Sequence, residues 1–266
     1  MNIQDRGSRG PKPAAAPDTH YAIATAQKQL AAGNLHQAEH SLQKIIAAEP
    51  KHFDALNLMG IVAMHAGDAA TAARVLSRAI EVNGRHADTH CNLGTALLEL
   101  GREAEGEAAF AEALRRKSSH PMANYNLGLI HLRAERFEAA ARHLERTVRV
   151  EAGNIDALNL CGIAVIKSGD PVRAVRMFRK AHRKAPENSD VARNLASALT
   201  ETGESEGAID LYERLLQESP NDADRISIWR SRWPRRGGIS TVSRLLSARW
   251  KLHRRSTRPE PISAIA

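Results

Sequence analysis

The sequence repeats itself every 34 residues, and that period limits the chain to very few architectures. From Leu93-Gly94, one step back reaches Met59-Gly60, and successive steps forward reach Leu127-Gly128, Cys161-Gly162 and Leu195-Ala196. The same step carries Phe110 to Leu76, Leu144, Phe178 and Tyr212. A period this short means that each copy is one supersecondary unit, too small to bury its own apolar face. Only stacking against neighbouring copies produces a continuous core.

Within a copy the apolar residues fall three and four apart, as in Leu56, Met59 and Ala63 and again in Leu76, Ala79 and Ile80. That spacing places them on one face of each of two helices. A small residue in the first helix (Ala26, Gly60, Gly94, Gly128, Gly162, Ala196) and another in the second (Ala38, Ala72, Gly106, Ala140, Ala174, Ala208) mark a close approach of the pair. Between the helices Gly33, Gly67, Gly101, Gly169 and Gly203 suit a left-handed helix end, whereas the fourth copy has Glu135 at this point. Pro50, Pro186 and Pro220 close three copies, with Gly84, Ser118 and Ala152 in their place elsewhere.

A large–small apolar pair followed by a small residue 12 positions on, repeated every 34 residues, resembles the tetratricopeptide repeat (TPR) family. The resemblance spans six copies: 19–52, 53–86, 87–120, 121–154, 155–188 and 189–222. It implies an all-α protein, an α-solenoid of stacked helix-turn-helix units wound into a right-handed superhelix. Fold alone leaves the task open, because the same scaffold hosts many binding roles.

Residues 1–18 are rich in glycine and proline without periodicity and read as a disordered lead-in. The net charge of +8 is unevenly placed. The copies carry 24 basic and 26 acidic side chains, whereas residues 223–266 carry 11 basic and 2 acidic ones. In that segment Arg230 stands where a small residue belongs, so a seventh helix pair is not expected. Its first part, about 222–233, reads as a helix capping the sixth copy. The stretch after Gly238, with Ile239, Val242, Leu246 and Trp250 at helical spacing, reads as a basic amphipathic helix. Arg230, Arg232, Arg235, Arg236, Arg249, Lys251, Arg254 and Arg255 would meet an anionic membrane surface, a nucleic acid or an acidic protein. A change of reading frame near Asp224 accounts for the same shift of composition and would deprive the tail of functional content.

Cys91 and Cys161 lie in first helices of non-adjacent copies, an arrangement unsuited to a disulfide, and Cys161 reads as a small core hydrophobe. No apolar run follows Arg6, Arg9 and Lys12 and no apolar segment reaches 18 residues, so a cytoplasmic location is expected. His36 with His40 and His86 with His90 have the spacing of paired metal ligands, but no glutamate or cysteine completes a set. No phosphate-cradling loop, nucleophile elbow or dinucleotide fingerprint occurs, so neither a metal nor a cofactor nor catalysis is expected.

The candidate site lies on the first helices. Asn92, Asn126 and Asn194 take the sixth position of their copies, and Asn57 and Asn159 take the fifth. The family resemblance implies that a sixth-position asparagine faces the concave groove, where related arrays, including those of O-linked GlcNAc transferase, grip the backbone of an extended peptide. A carboxamide suits this work because it both donates to and accepts from a peptide unit. The competing reading is a bond to a neighbouring helix. Positions nine and twelve hold Ile61 and Met64, Thr95 and Leu98, Leu129 and Leu132, Ile163 and Ile166, an aliphatic stripe that serves either ligand binding or packing between copies. Arg133, Lys167 and Arg193 on this face are interspersed with Glu99 and Glu201, so a basic clamp for a terminal carboxylate is not evident.

The expected function is that of a non-enzymatic scaffold that binds an extended peptide or a partner helix of another protein in the groove. The alternative is the recognition arm of a glycosyl- or sulfotransferase whose catalytic domain is absent from this chain, motivated by tiles such as NYNLGLIHL.

Overall fold

The computed structural model describes residues 19–218. The lead-in 1–18 and the basic tail 223–266 lie outside the described residues, as do the expectations attached to them. Among the described residues all regular structure is helical: α1 (Thr19–Ala31), α2 (Leu35–Ala48), α3 (Phe53–His65), α4 (Ala69–Val82), α5 (Ala87–Glu99), α6 (Glu103–Arg116), α7 (Pro121–Arg133), α8 (Phe137–Val150), α9 (Ile155–Lys167), α10 (Pro171–Lys184), α11 (Ser189–Thr202) and α12 (Ser205–Glu218). The protein is an all-α solenoid of helix pairs.

The turn inside each pair follows from a few residues. Gly67 has φ of 76°, its N–H donates to Met64 O at 3.0 Å, and the next N–H, of Asp68, reaches Ala63 O at 2.9 Å. This bond pattern satisfies the last carbonyls of α3 through a left-handed residue. Asp68 then accepts from the N–H of Thr71 and so opens α4. One residue thus helps to end one helix and starts the next. Glu135 adopts φ of 55° and closes the same pattern, with Glu135 N–H to Leu132 O at 3.1 Å and Arg136 N–H to His131 O at 2.8 Å. The turn geometry is therefore kept in the fourth copy without its glycine.

The helices of a pair cross where the small residues stand. A β-carbon added to Gly60 would lie 2.4 Å from Leu76 Cγ, and one added to Gly162 would lie 2.5 Å from Phe178 Cε1. The large residues that fill these positions, Leu76, Phe110, Leu144 and Phe178, are fully buried. Glycine here is a matter of space between backbones, unlike the turn glycines, whose role is conformational.

The chain divides into two compact units, 1–118 and 119–266, with α1–α6 in the first and α7–α12 in the second. In the first unit Ala38, Leu42, Ile45, Leu56, Met59 and Val75 share a core, and a second cluster joins Ala72, Leu76, Leu97 and Ala109. Successive copies are also tied by polar bonds: Arg78 donates to Pro50 O at 3.3 Å and Arg116 to Gly84 O at 2.5 Å. In the second unit one cluster runs from Ala140 and Leu144 through Cys161, Val165 and Phe178 to Leu199, Tyr212 and Leu215. Arg173 of α10 pairs with Glu145 of α8 across copies four and five.

Candidate functional site

The fifth- and sixth-position asparagines sit part-way along the first helices and are all half-buried. Their bonding divides them. Asn57 of α3 accepts from the hydroxyl of Thr89 in α5 at 3.0 Å, and Thr89 is 1% exposed. Asn194 of α11 donates to the carboxamide oxygen of Asn159 in α9 at 2.9 Å. Both bonds join the first helices of consecutive copies, which is the structural role weighed against ligand binding. The carboxamides of Asn92 in the first unit and Asn126 in the second form no hydrogen bond with another described residue. A half-buried carboxamide in that state offers its donor and acceptor to a ligand.

The aliphatic stripe is half-buried throughout. In the first unit Ile61 and Met64 lie on α3 and Thr95 and Leu98 on α5. In the second unit Leu129 and Leu132 lie on α7 and Ile163 and Ile166 on α9. Leu132, Ile163 and Ile166 rest against the main core of that unit, as does Tyr125. Met64 likewise rests against a core cluster of the first unit, and the stripe as a whole keeps part of its surface accessible. Burial, with Asp156 nearby, pushes the Tyr125 hydroxyl above its ordinary pKa, so it stays protonated near neutrality.

The charged groups on these helices are mixed. Arg133 and Lys167 are exposed, while Arg193 is paired with Asp190 at 2.6 Å. Neither cysteine has a reactive setting: both are buried, and desolvation is the main cause that pushes each thiol to about 12. The two are free thiols. Of the histidines singled out for their spacing, His36 and His40 are exposed on α2. His86 stacks on Phe53 with ring centroids 4.4 Å apart, and His90 bonds Gly84 O at 3.0 Å. Among the described residues no group of three or more His, Cys, Asp or Glu is arranged to hold a metal ion. Nor is any described helix long and apolar enough to cross a membrane.

Two features escaped the sequence reading. The first is a buried polar group in copy four: Asn124, fully buried, donates to His120 O at 2.9 Å and faces His143 Nδ1 at 3.0 Å. His131 lies beside His143 with ring centroids 5.3 Å apart. The second is the run of cations on α10, hidden in a sequence whose copies average close to neutral.

The helix pairs, turn glycines and small-residue crossings define a TPR protein, and sequence models of the family agree. Tetratricopeptide-repeat models match residues 23–88, 91–154 and 165–227. The chain belongs to the tetratricopeptide repeat family. No curated protein matches it in sequence. Among solved structures it resembles PilF of Pseudomonas aeruginosa, at 18% identity and a TM-score of 0.66 over 80% of this chain and 97% of that one. It also resembles YrrB, described as a TPR protein with an unusual peptide-binding site, at 17% identity and a TM-score of 0.62 over 67% and 92% of the two chains. For a MamA protein the values are 23% and 0.56 over 64% and 93%. At these identities the likeness is one of fold.

Proposed function

We propose that this protein is a non-enzymatic cytoplasmic scaffold whose first-helix faces bind an extended peptide from another protein. The observation that carries the reading is a half-buried, unbonded carboxamide on first helices that also carry half-buried aliphatics. In the first unit this is Asn92 with Met64 and Leu98, and in the second Asn126 with Leu132 and Ile166. An extended segment exposes a peptide unit and alternating side chains, so the carboxamide would take the backbone while the aliphatics take apolar residues. Asn57, Asn159 and Asn194 would hold the helices that carry the face, since their carboxamides are already engaged.

The test uses a peptide selected from a display library on the full chain. Asn126→Ala and Asn92→Ala are each expected to weaken it by about 1–3 kcal/mol where the peptide bond they serve is left unpaired, with unchanged helix content. Equal affinity for both variants and the parent would move binding off these faces and end the proposal.

The second reading is a recognition arm of a TPR-linked transferase, of the kind found with O-linked GlcNAc transferase. Asparagine-led tiles such as NYNLGLIHL favour it. The nucleotide sequence past codon 224 separates the two: an alternative frame encoding a long transferase domain supports the arm, and its absence supports the scaffold.

A further inference from the structure

Helix α10 places Arg173, Arg176, Arg179, Lys180, Arg183 and Lys184 within its 14 residues and has no acidic side chain. At 100° per residue these six fall in an arc of about 140°, opposite the buried Ala174, Val175, Phe178 and Ala181. Arg173 and Arg179 are occupied by Glu145 and Glu204, the latter at 2.5 Å. Arg176, Lys180, Arg183 and Lys184 are exposed and have no ion-pair partner among the described residues. All but Lys184, together with His182, Met177 and Leu195, line a cavity of about 550 Å³.

We infer that this face of α10 docks a short acidic segment of a partner protein, independently of the first-helix faces. Charge complementarity selects the occupant. The chain's own tail is excluded by sign, since residues 223–266 hold 11 basic and 2 acidic side chains. Nucleic acid or an anionic bilayer would draw on a broad positive field, yet residues 119–218 carry 14 basic and 14 acidic side chains, so attraction is confined to the patch. Glu145 and Glu204 further bound it, and a long polyanion running past would meet them. From Arg173 to Lys184 the helix rises about 16 Å, the span of roughly five residues of extended chain. Met177, half-buried among the cations, offers an apolar contact for one side chain of that segment.

The experiment titrates the full chain with a fluorescein-labelled peptide of aspartate and glutamate around a central leucine, followed by anisotropy. Replacement of the exposed trio in Arg176→Gln/Lys180→Gln/Arg183→Gln should weaken binding by about tenfold or more, and added salt should do the same to the parent. Lys28→Gln/Lys44→Gln, which removes two exposed cations of α1 and α2 in the first unit, should leave the affinity unchanged. An α10 variant that binds like the parent, or a Lys28→Gln/Lys44→Gln variant that loses binding to the same degree, overturns the assignment. So does a duplex DNA or a phosphatidylserine vesicle that binds more tightly than the peptide and loses that binding in the α10 variant. Circular dichroism of each variant confirms that the fold is retained, and Arg176→Lys/Arg183→Lys should preserve binding.

Discussion

A β-carbon built on Gly128 of α7 stands 2.6 Å from Cγ of Leu144 in α8, and Leu144 is wholly buried. No real side chain tolerates that separation, so any residue but glycine must push the helix pair apart or move Leu144. Gly128→Ala should therefore destabilise by about 1–3 kcal/mol, even though alanine improves helix propensity by about 1 kcal/mol. Gly128→Leu should cost more. Denaturant midpoints give the loss, and Leu144→Ala in the Gly128→Ala background should recover part of it, because the two positions share one space. Strict additivity in that cycle would refute the crossing contact.

Glu135 is the described non-glycine residue with positive φ, at 55°, where other copies place glycine at 72° to 95°. Its side chain is exposed and the strain lies in the backbone. A left-handed conformation costs an ordinary residue about 1–2 kcal/mol, partly offset in glycine by its freer unfolded state. Glu135→Gly should raise stability by about 0.5–1 kcal/mol and the melting temperature with it. A thermal melt in which the variant falls below the parent would contradict this reading of the turn.

The features legible in the sequence are those set by local chemistry. Gly67 and Gly101 mark turns because a positive φ depends on one residue, and Gly94 facing Phe110 could be anticipated because a period repeats the same crossing. The Thr89–Asn57 and Asn194–Asn159 bonds were not legible, since they depend on how one copy is offset against the next by fractions of a helical turn. Asn92 and Asn194 occupy the same repeat position yet differ in bonding. His52 and His120 cap α3 and α7 through Nδ1, a role for which histidine is not a usual signal. The α10 cations were visible letter by letter but vanished in the average over six copies.

The divided asparagines lead to a stability comparison that needs no ligand. Asn57→Ala leaves the Thr89 hydroxyl, 1% exposed, without its 3.0 Å acceptor. An unsatisfied buried group costs about 1–3 kcal/mol, and the denaturant midpoint should fall accordingly. Adding Thr89→Val to that variant removes the stranded hydroxyl as well and should recover part of the loss, since deleting both partners is less costly than deleting one. Asn92→Ala removes a carboxamide with no bond to another described residue, so its effect should stay within about 0.5 kcal/mol. Urea midpoints of the four proteins decide the matter. If Asn92→Ala is the more damaging of the two single changes, the roles assigned to these asparagines are reversed, and Asn92 holds helices together.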